Sequence, residues 1–278
     1  TDVYVLNKPT ALLRHSLAEL REMLSWEDVT AHRPEDRHRG INLVRTKKDL
    51  FILGGPGAGK TTFVKHLALQ TVSGGLNRIP IVIELRDWAA TELELMAYIT
   101  RQFEICAFPE ADRFIEYILI EGEALVMFDG LDEVSEADDQ RRETIRLIKD
   151  FHRQYHRSQC LVTCRIAATD YTFEGFTYLQ MADFTPKQIE TFVGQWFTKD
   201  TFRRDKFLAD FNKDENKGVR ELTKSPLLLT LLCLAFEETL HFSQCRVDIY
   251  KQALDLYSTP LYGVNYTTKV LKSCRSLG

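Results

Sequence analysis

Apolar residues along this chain follow two rhythms. LFILG (residues 50–54), IPIVIEL (79–85), ALVMFD (124–129), CLVTCR (160–165) and FTYLQM (176–181) are short, nearly continuous apolar runs, the pattern of strands covered on both faces. Between them, TTFVKHLALQTV, TELELMAYITRQF, FIEYILI and DDQRRETIRLIKDFHRQY carry apolar residues at helical spacing, as amphipathic helices do. The alternation predicts a doubly wound parallel α/β sheet over residues 49–183. Upstream, ALLRHSLAELREMLSW aligns Leu13, Leu17, Leu20 and Leu24 on one helical face, and TAHRPEDRHRG reads as a polar connector. Residues 1–48 are therefore expected to be a helical linker, packed on the main domain or recruited by a partner. Beyond residue 183 the strand signal stops. TPKQIETFVGQWF sets Thr185 to cap, Pro186 at the first helical position and Gln188 to reciprocate, a capping box that opens an all-helical domain over residues 184–245. Residues 246–278 hold one more helical pattern and then a tail with no clear period.

Bulk properties narrow the class. A chain of 278 residues holds one large domain and a smaller partner, and 44% hydrophobic against 27% charged residues excludes global disorder. The net charge of -4 leaves no electrostatic footprint for long nucleic acid; the densest basic stretches, HRPEDRHRG and FRRDK, also carry acids and read as solvated surface. The six cysteines, Cys106, Cys160, Cys164, Cys233, Cys245 and Cys274, form no C-x-x-C pair. They read as buried reduced thiols of a cytoplasmic chain, not as a metal site or disulfide frame. The longest apolar stretch, SPLLLTLLCLAF, is too short to span a bilayer. The chain opens on Thr1, so its start is expected to be missing or processed.

GGPGAGKT (residues 54–61) fits G-x-x-x-x-G-K-[ST] and lies after an apolar strand and before a helix, where a phosphate cradle must lie. Backbone N–H groups of Gly54, Gly55, Pro56's neighbours, Gly57, Ala58 and Gly59 would wrap a β-phosphate at a helix N-terminus. Lys60 would neutralise the β- and γ-phosphates, Thr61 would ligate Mg2+ and Thr62 would reach the α-phosphate. In ALVMFDGLDE, a strand-ending Asp129 is best explained as the Mg2+-associated carboxylate. Asp132 and Glu133 follow at the strand's carboxyl end, where open α/β sheets bind ligands, and Glu133 is the candidate to polarise an attacking water. The alternative for all three is a solvated acidic turn. Arg165, ending LVTCR, would point at the γ-phosphate region or pair with a surface carboxylate. A guanine-reading N-K-x-D is absent, since NKDE (212–215) ends in the wrong residue; ATP is therefore favoured over GTP.

LFILGGPGAGKTTFVKHLAL, LVMFDGLDEV, LVTCR and LTKSPLLLTLLCL, in this order, resemble the NACHT family, the nucleotide-binding module of STAND-type signal ATPases and NOD-like receptors, closest to prokaryotic members. The likeness covers about residues 1–256. It implies an additional-strand, AAA+-like P-loop core followed by a small helical lid, with residues 54–62 on the phosphates, Asp129 on Mg2+, and Asp132 and Glu133 supporting hydrolysis. By the same likeness Arg165 is the sensor arginine and Pro226 of SPLLL lies against adenine; helix-start preference alone also accounts for that proline. A winged-helix domain follows in the family, and residues 246–278 resemble only its beginning. No role of the family's ADP-holding histidine passes to His241.

The leading expectation is an ATP/ADP switch in which slow Mg2+-dependent hydrolysis controls homo-oligomerisation, with sensor and effector modules outside this chain and defence or stress signalling as context. The alternatives are an ATPase remodelling nucleic acid or protein, a nucleotide-locked scaffold and, more distantly, a small-molecule kinase.

Overall fold

The computed structural model describes residues 3–6, 37–136, 139–166 and 172–242. The linker helix expected around Leu13 to Leu24, Cys245, Cys274 and the 246–278 tail lie outside them. Two compact units divide the chain: Val3–Pro56 with Lys60–Ala182, and Asp183 onward together with Gly57–Gly59.

Among the described residues the first unit is built on a seven-stranded sheet in the order β2-β1-β7-β3-β6-β5-β4. Its parallel centre comprises β3 (Leu50–Gly54), β4 (Ile79–Glu84), β5 (Ala124–Asp129), β6 (Gln159–Arg165) and β7 (Thr177–Met181). These are the five apolar runs of the sequence, each within one residue of the predicted ends. β6 is inserted between β3 and β5, with Leu53 beside Cys164 on one side and Phe128 beside Val162 on the other. The helices are α1 (Gly40–Thr46), α2 (Lys60–Val72), α3 (Leu85–Ala89), α4 (Leu95–Ile105), α5 (Ala111–Glu121) and α6 (Gln140–Gln154). Alternate strand residues explain why the runs are apolar throughout. Phe51, Leu53, Ile81, Ile83, Val126, Phe128 and Val162 pack with α3 to α6 in one cluster. Their neighbours Leu50, Ile52, Leu125, Met127 and Leu161 are equally buried on the opposite face, as are Phe63, Val64 and Leu67 of α2. A sheet sandwiched in this way leaves no polar face to alternate.

The remaining strands fall in the segment expected to be a helical linker. β1 (Tyr4–Leu6) pairs antiparallel with β7, and β2 (Arg37–Arg39) with β1. Three-residue strands are too short to show a period, and the charged RHR edge, with His38 and Arg39 exposed, suits a terminal strand that must not recruit another chain.

The second unit is helical where described: α7 (Pro186–Trp196), α8 (Thr201–Phe211), α9 (Lys217–Leu222) and α10 (Pro226–Thr239). The capping box at Thr185 forms: Gln188 N–H donates to Thr185 Oγ1 at 3.3 Å and Thr185 N–H to Gln188 Oε1 at 3.0 Å. Ile189, Phe192, Val193 and Trp196 then bury one face of α7 against Phe207, Leu229, Cys233 and Phe236. Within this unit Leu227 N–H donates to the Gly57 carbonyl at 3.3 Å.

Among the described cysteines one departs from expectation. Cys160, Cys164 and Cys233 are buried, but Cys106 is exposed, because it sits just past the end of α4. Burial pushes the Cys160 thiol far up and the Cys164 thiol up to about 11, so both stay protonated and unreactive near neutral pH.

Candidate functional site

β3 ends at Gly54 and α2 begins at Lys60. Between them Gly57 and Gly59 take φ of 70° and 90°, a backbone that side chains other than glycine rarely adopt. Lys60 folds over the loop start, its Nζ donating to the carbonyls of Gly54 at 3.0 Å and Gly55 at 3.4 Å. Burial lowers its pKa, and the nearby carboxylates of Asp132 and Asp129 pull it back up while Arg165 lowers it further. Both acidic residues and the arginine therefore lie within electrostatic reach of the lysine. Thr61 and Thr62 are exposed in the first turn of α2, where backbone N–H groups have no intrahelical partner.

Asp129 ends β5 only 7% exposed. Thr163 of β6, fully buried, donates its hydroxyl to Asp129 Oδ1 at 2.5 Å and accepts from Gly130 N–H at 2.8 Å. One hydroxyl thereby fixes both the carboxylate and the exit of the chain. Asp129 Oδ2 has no hydrogen-bond partner among the described residues. Gly130 follows with φ of 81°, and a Cβ there would come within 3.3 Å of the Glu133 carboxyl carbon. The chain then closes a tight turn, Leu131–Glu133, anchored by Leu131 in the core.

That turn separates the two acids. Asp132, its side chain 7% exposed, accepts Arg165 N–H on Oδ1 and Arg165 Nε on Oδ2, each at 2.8 Å. Glu133, 45% exposed, points away, with Arg86 Nη1 at 3.9 Å. The predicted Lys60, Asp129, Asp132 and Arg165 are therefore brought together at the carboxyl edge of the sheet, with Glu133 on its rim. Pro226 stands at the first helical position of α10 in the other unit.

Sequence reading missed two residues that shape the turn. Thr163 is one, recognisable only as the polar residue inside LVTCR. The other is Arg141 of α6, 8% exposed, which donates to the Val134 carbonyl through Nε at 3.1 Å and Nη2 at 2.8 Å, to the Asp132 carbonyl at 2.9 Å, and pairs with Glu136. In sequence it is one arginine among many on a charged helix.

The donor set suits a nucleotide-borne magnesium. Among the described residues no group of three His, Cys, Asp or Glu is placed to hold a metal by itself, and Mg2+ ordinarily takes one or two protein oxygens beside substrate phosphates and water. Asp129 Oδ2 and the Thr61 hydroxyl are oxygens of the kind that could serve.

The family model of the NACHT domain matches residues 48–200, a span containing the phosphate loop, the Asp129 turn and Arg165. The chain belongs to the NACHT family. As a NACHT P-loop NTPase it is by family a nucleotide-binding chain. No curated protein sequence matches this NACHT chain significantly. It is similar to a solved signal transduction ATPase with numerous domains (STAND) from Pyrococcus horikoshii, which has a tetratricopeptide repeat sensor, at 14% identity and a TM-score of 0.44 over 82% of this chain and 33% of that one. It is also similar to the replication initiator DnaA bound to AMPPCP and single-stranded DNA, at 12% identity and a TM-score of 0.35 over 80% of this chain and 59% of that one. PCH-2 of C. elegans shares 12% identity at a TM-score of 0.38, over 78% and 62% of the two chains. The NACHT chain thus spans from one third to about three fifths of the length of these proteins. No helix among its described residues is long and apolar enough to cross a membrane.

Proposed function

We propose that the chain is an ATP/ADP switch in which the third phosphate is read by Arg165 and removed by slow, Mg2+-dependent hydrolysis, and that the state of the site controls self-association. The observation that carries this reading is the ion pair of the Arg165 guanidinium, through Nε, with Asp132 Oδ2, within electrostatic reach of Lys60, while the Arg165 backbone N–H holds Asp132 Oδ1. An arginine half exposed on a buried carboxylate has a partner it can exchange. A γ-phosphate competes for the guanidinium, ADP does not, and that difference in contacts is what lets two nucleotides favour two states.

In the mechanism, Lys60 leaves the Gly54 and Gly55 carbonyls for the β- and γ-phosphates, a stronger partner for a desolvated ammonium. Asp129 and Thr61 would hold the Mg2+, which neutralises developing charge on the phosphates. Glu133, on the rim with its carboxylate accessible, orients and polarises the water. Pro226 would flank adenine. Sensor and effector modules outside this chain, a cytoplasmic location and a defence or stress-signalling context complete the proposal.

The test is size-exclusion chromatography of the chain with ADP and with a non-hydrolysable ATP analogue. The switch predicts a larger species with the analogue alone, and no such change in Arg165→Ala. Fast ATP turnover stimulated by a polymer, with no change in size, would sink the reading in favour of a remodelling ATPase.

A further inference from the structure

The opposite, amino-terminal edge of the same sheet carries a second concentration of charge. A cavity of about 470 Å3 opens between the end of α1, the turn before β4 and the start of β6. Arg45, Lys47, Lys48 and Arg78 line it, and none of its lining residues is acidic.

What sets these cations apart is their partners. Elsewhere on this unit arginines sit on carboxylates: Arg142 on Asp139, Arg146 on Glu143 and Asp150, Arg157 on Glu121. At the cavity, Arg45 Nη2 donates to the Gly75 carbonyl at 2.9 Å and Arg78 Nη1 to the Gly122 carbonyl at 2.8 Å. A neutral acceptor orients a guanidinium without cancelling its charge, and each retains further donors. None of the four cations forms an ion pair with a described carboxylate. The adjoining Asp49 does not compensate them by hydrogen bonding either, since its oxygens accept from Cys160 N–H at 2.9 Å and meet His152 Nε2 at 3.0 Å. Two of the carbonyls around the end of α1, which would repel an anion, are covered: Gln159 Nε2 donates to those of Val44 and Lys47 at 2.8 Å each.

In a chain of net charge -4, four such cations around one concavity leave it strongly positive. We propose that this cavity is a second anion site, separate from the phosphate loop, which takes a compact oligophosphate such as a free nucleotide or another phosphorylated small molecule. Its volume lies in the range of about 300–1,000 Å3 typical of small-ligand pockets. The charges converge on one cavity and do not track along the surface, which favours a compact ligand over a nucleic-acid strand.

The experiment titrates the full chain carrying Lys60→Ala, to weaken the phosphate loop, with inorganic tripolyphosphate and with ATP, by calorimetry at two salt concentrations. The expected result is one saturable site that weakens as salt rises and loses about tenfold or more in affinity in the added Lys47→Gln/Lys48→Gln pair, the size of one lost hydrogen bond to a charged group. Equal affinity for the two probes identifies the phosphates as the recognised chemistry, whereas tighter ATP binding adds a nucleoside contact; both uphold the site. In the unmodified chain, tripolyphosphate should protect Lys47 and Lys48 from acetylation, a readout that needs no variant to fold. No saturable binding, affinity unchanged by the lysine pair, or protection given only by a single-stranded oligonucleotide overturns the proposal.

Discussion

Asp129 and Asp49 are two carboxylates buried to nearly the same extent, 7% and 4% exposed, at opposite ends of the central strands. Asp49 directly precedes β3, and both its oxygens are held, by the Cys160 N–H and by His152. It ties β3, α6 and β6 together, with each oxygen engaged by the protein. Asp129 closes β5 with one oxygen held by Thr163 and the other facing no described partner, near Lys60. Burial therefore does not separate an acid with both oxygens engaged from one with an oxygen left open. What bears on metal binding is whether an oxygen is left without a protein partner, because an oxygen already engaged by a protein donor is a poorer ligand for a metal ion.

The contrast predicts that substitutions at the carboxyl edge change nucleotide behaviour at nearly constant stability, and that those at Asp49 do the reverse. The largest effect is expected for Glu133→Gln, which should slow single-turnover ATP hydrolysis by about 10²–10⁴-fold while bound ATP is retained; turnover within a few-fold of the parent would remove Glu133 from the chemistry. Next, Lys60→Ala should weaken ATP by roughly 2–5 kcal/mol, about 30-fold or more, and normal nucleotide retention after purification would mean that the loop is not the phosphate cradle. Thr163→Val is the exception on stability, because it leaves Asp129 Oδ1 and the Gly130 N–H without their partner, at a cost of about 1–3 kcal/mol. With Asp129 no longer held, the Mg2+ concentration for half-maximal turnover should rise roughly tenfold, and an unchanged requirement would separate Asp129 from the metal. The smallest effect is expected at the other edge. Asp49→Asn should cost about 1–3 kcal/mol, lowering Tm by roughly 2–4 °C per kcal/mol, with nucleotide affinity intact. Should Asp49→Asn weaken nucleotide binding as much as Lys60→Ala does, the comparison fails.

Much of the fold was legible because its signals are local. A strand sandwiched between helix layers must be apolar at every position, so the runs around Phe51, Val126 and Val162 announced themselves. Gly57 and Gly59 were readable as glycines before their φ values were known, since few other residues take that backbone. The short edge strands were not readable: three residues carry no period, and Tyr4–Leu6 is a strand only because β7 offers it an open edge. The site divides in the same way. Lys60, Asp129, Asp132, Glu133 and Arg165 belong to motifs that are recognisable from spacing along the chain. Thr163 and Arg141 act across 34 residues onto Asp129 and across nine onto the Asp132 carbonyl, and neither separation follows a pattern.

Sequence by itself determined the alternation of buried strands and helices, the left-handed glycine turns and the set of charged groups gathered at one strand edge, because each follows from local conformational preference or from the need to bury apolar surface. The tertiary structure decided which acid is locked and which is open. It gave Asp132 to Arg165, left Glu133 on the rim, closed both oxygens of Asp49 and left the cations around the opposite cavity without carboxylates. Those outcomes depend on which strands become neighbours, and a hydrogen bond between neighbours is satisfied or left open only once β6 has been inserted between β3 and β5.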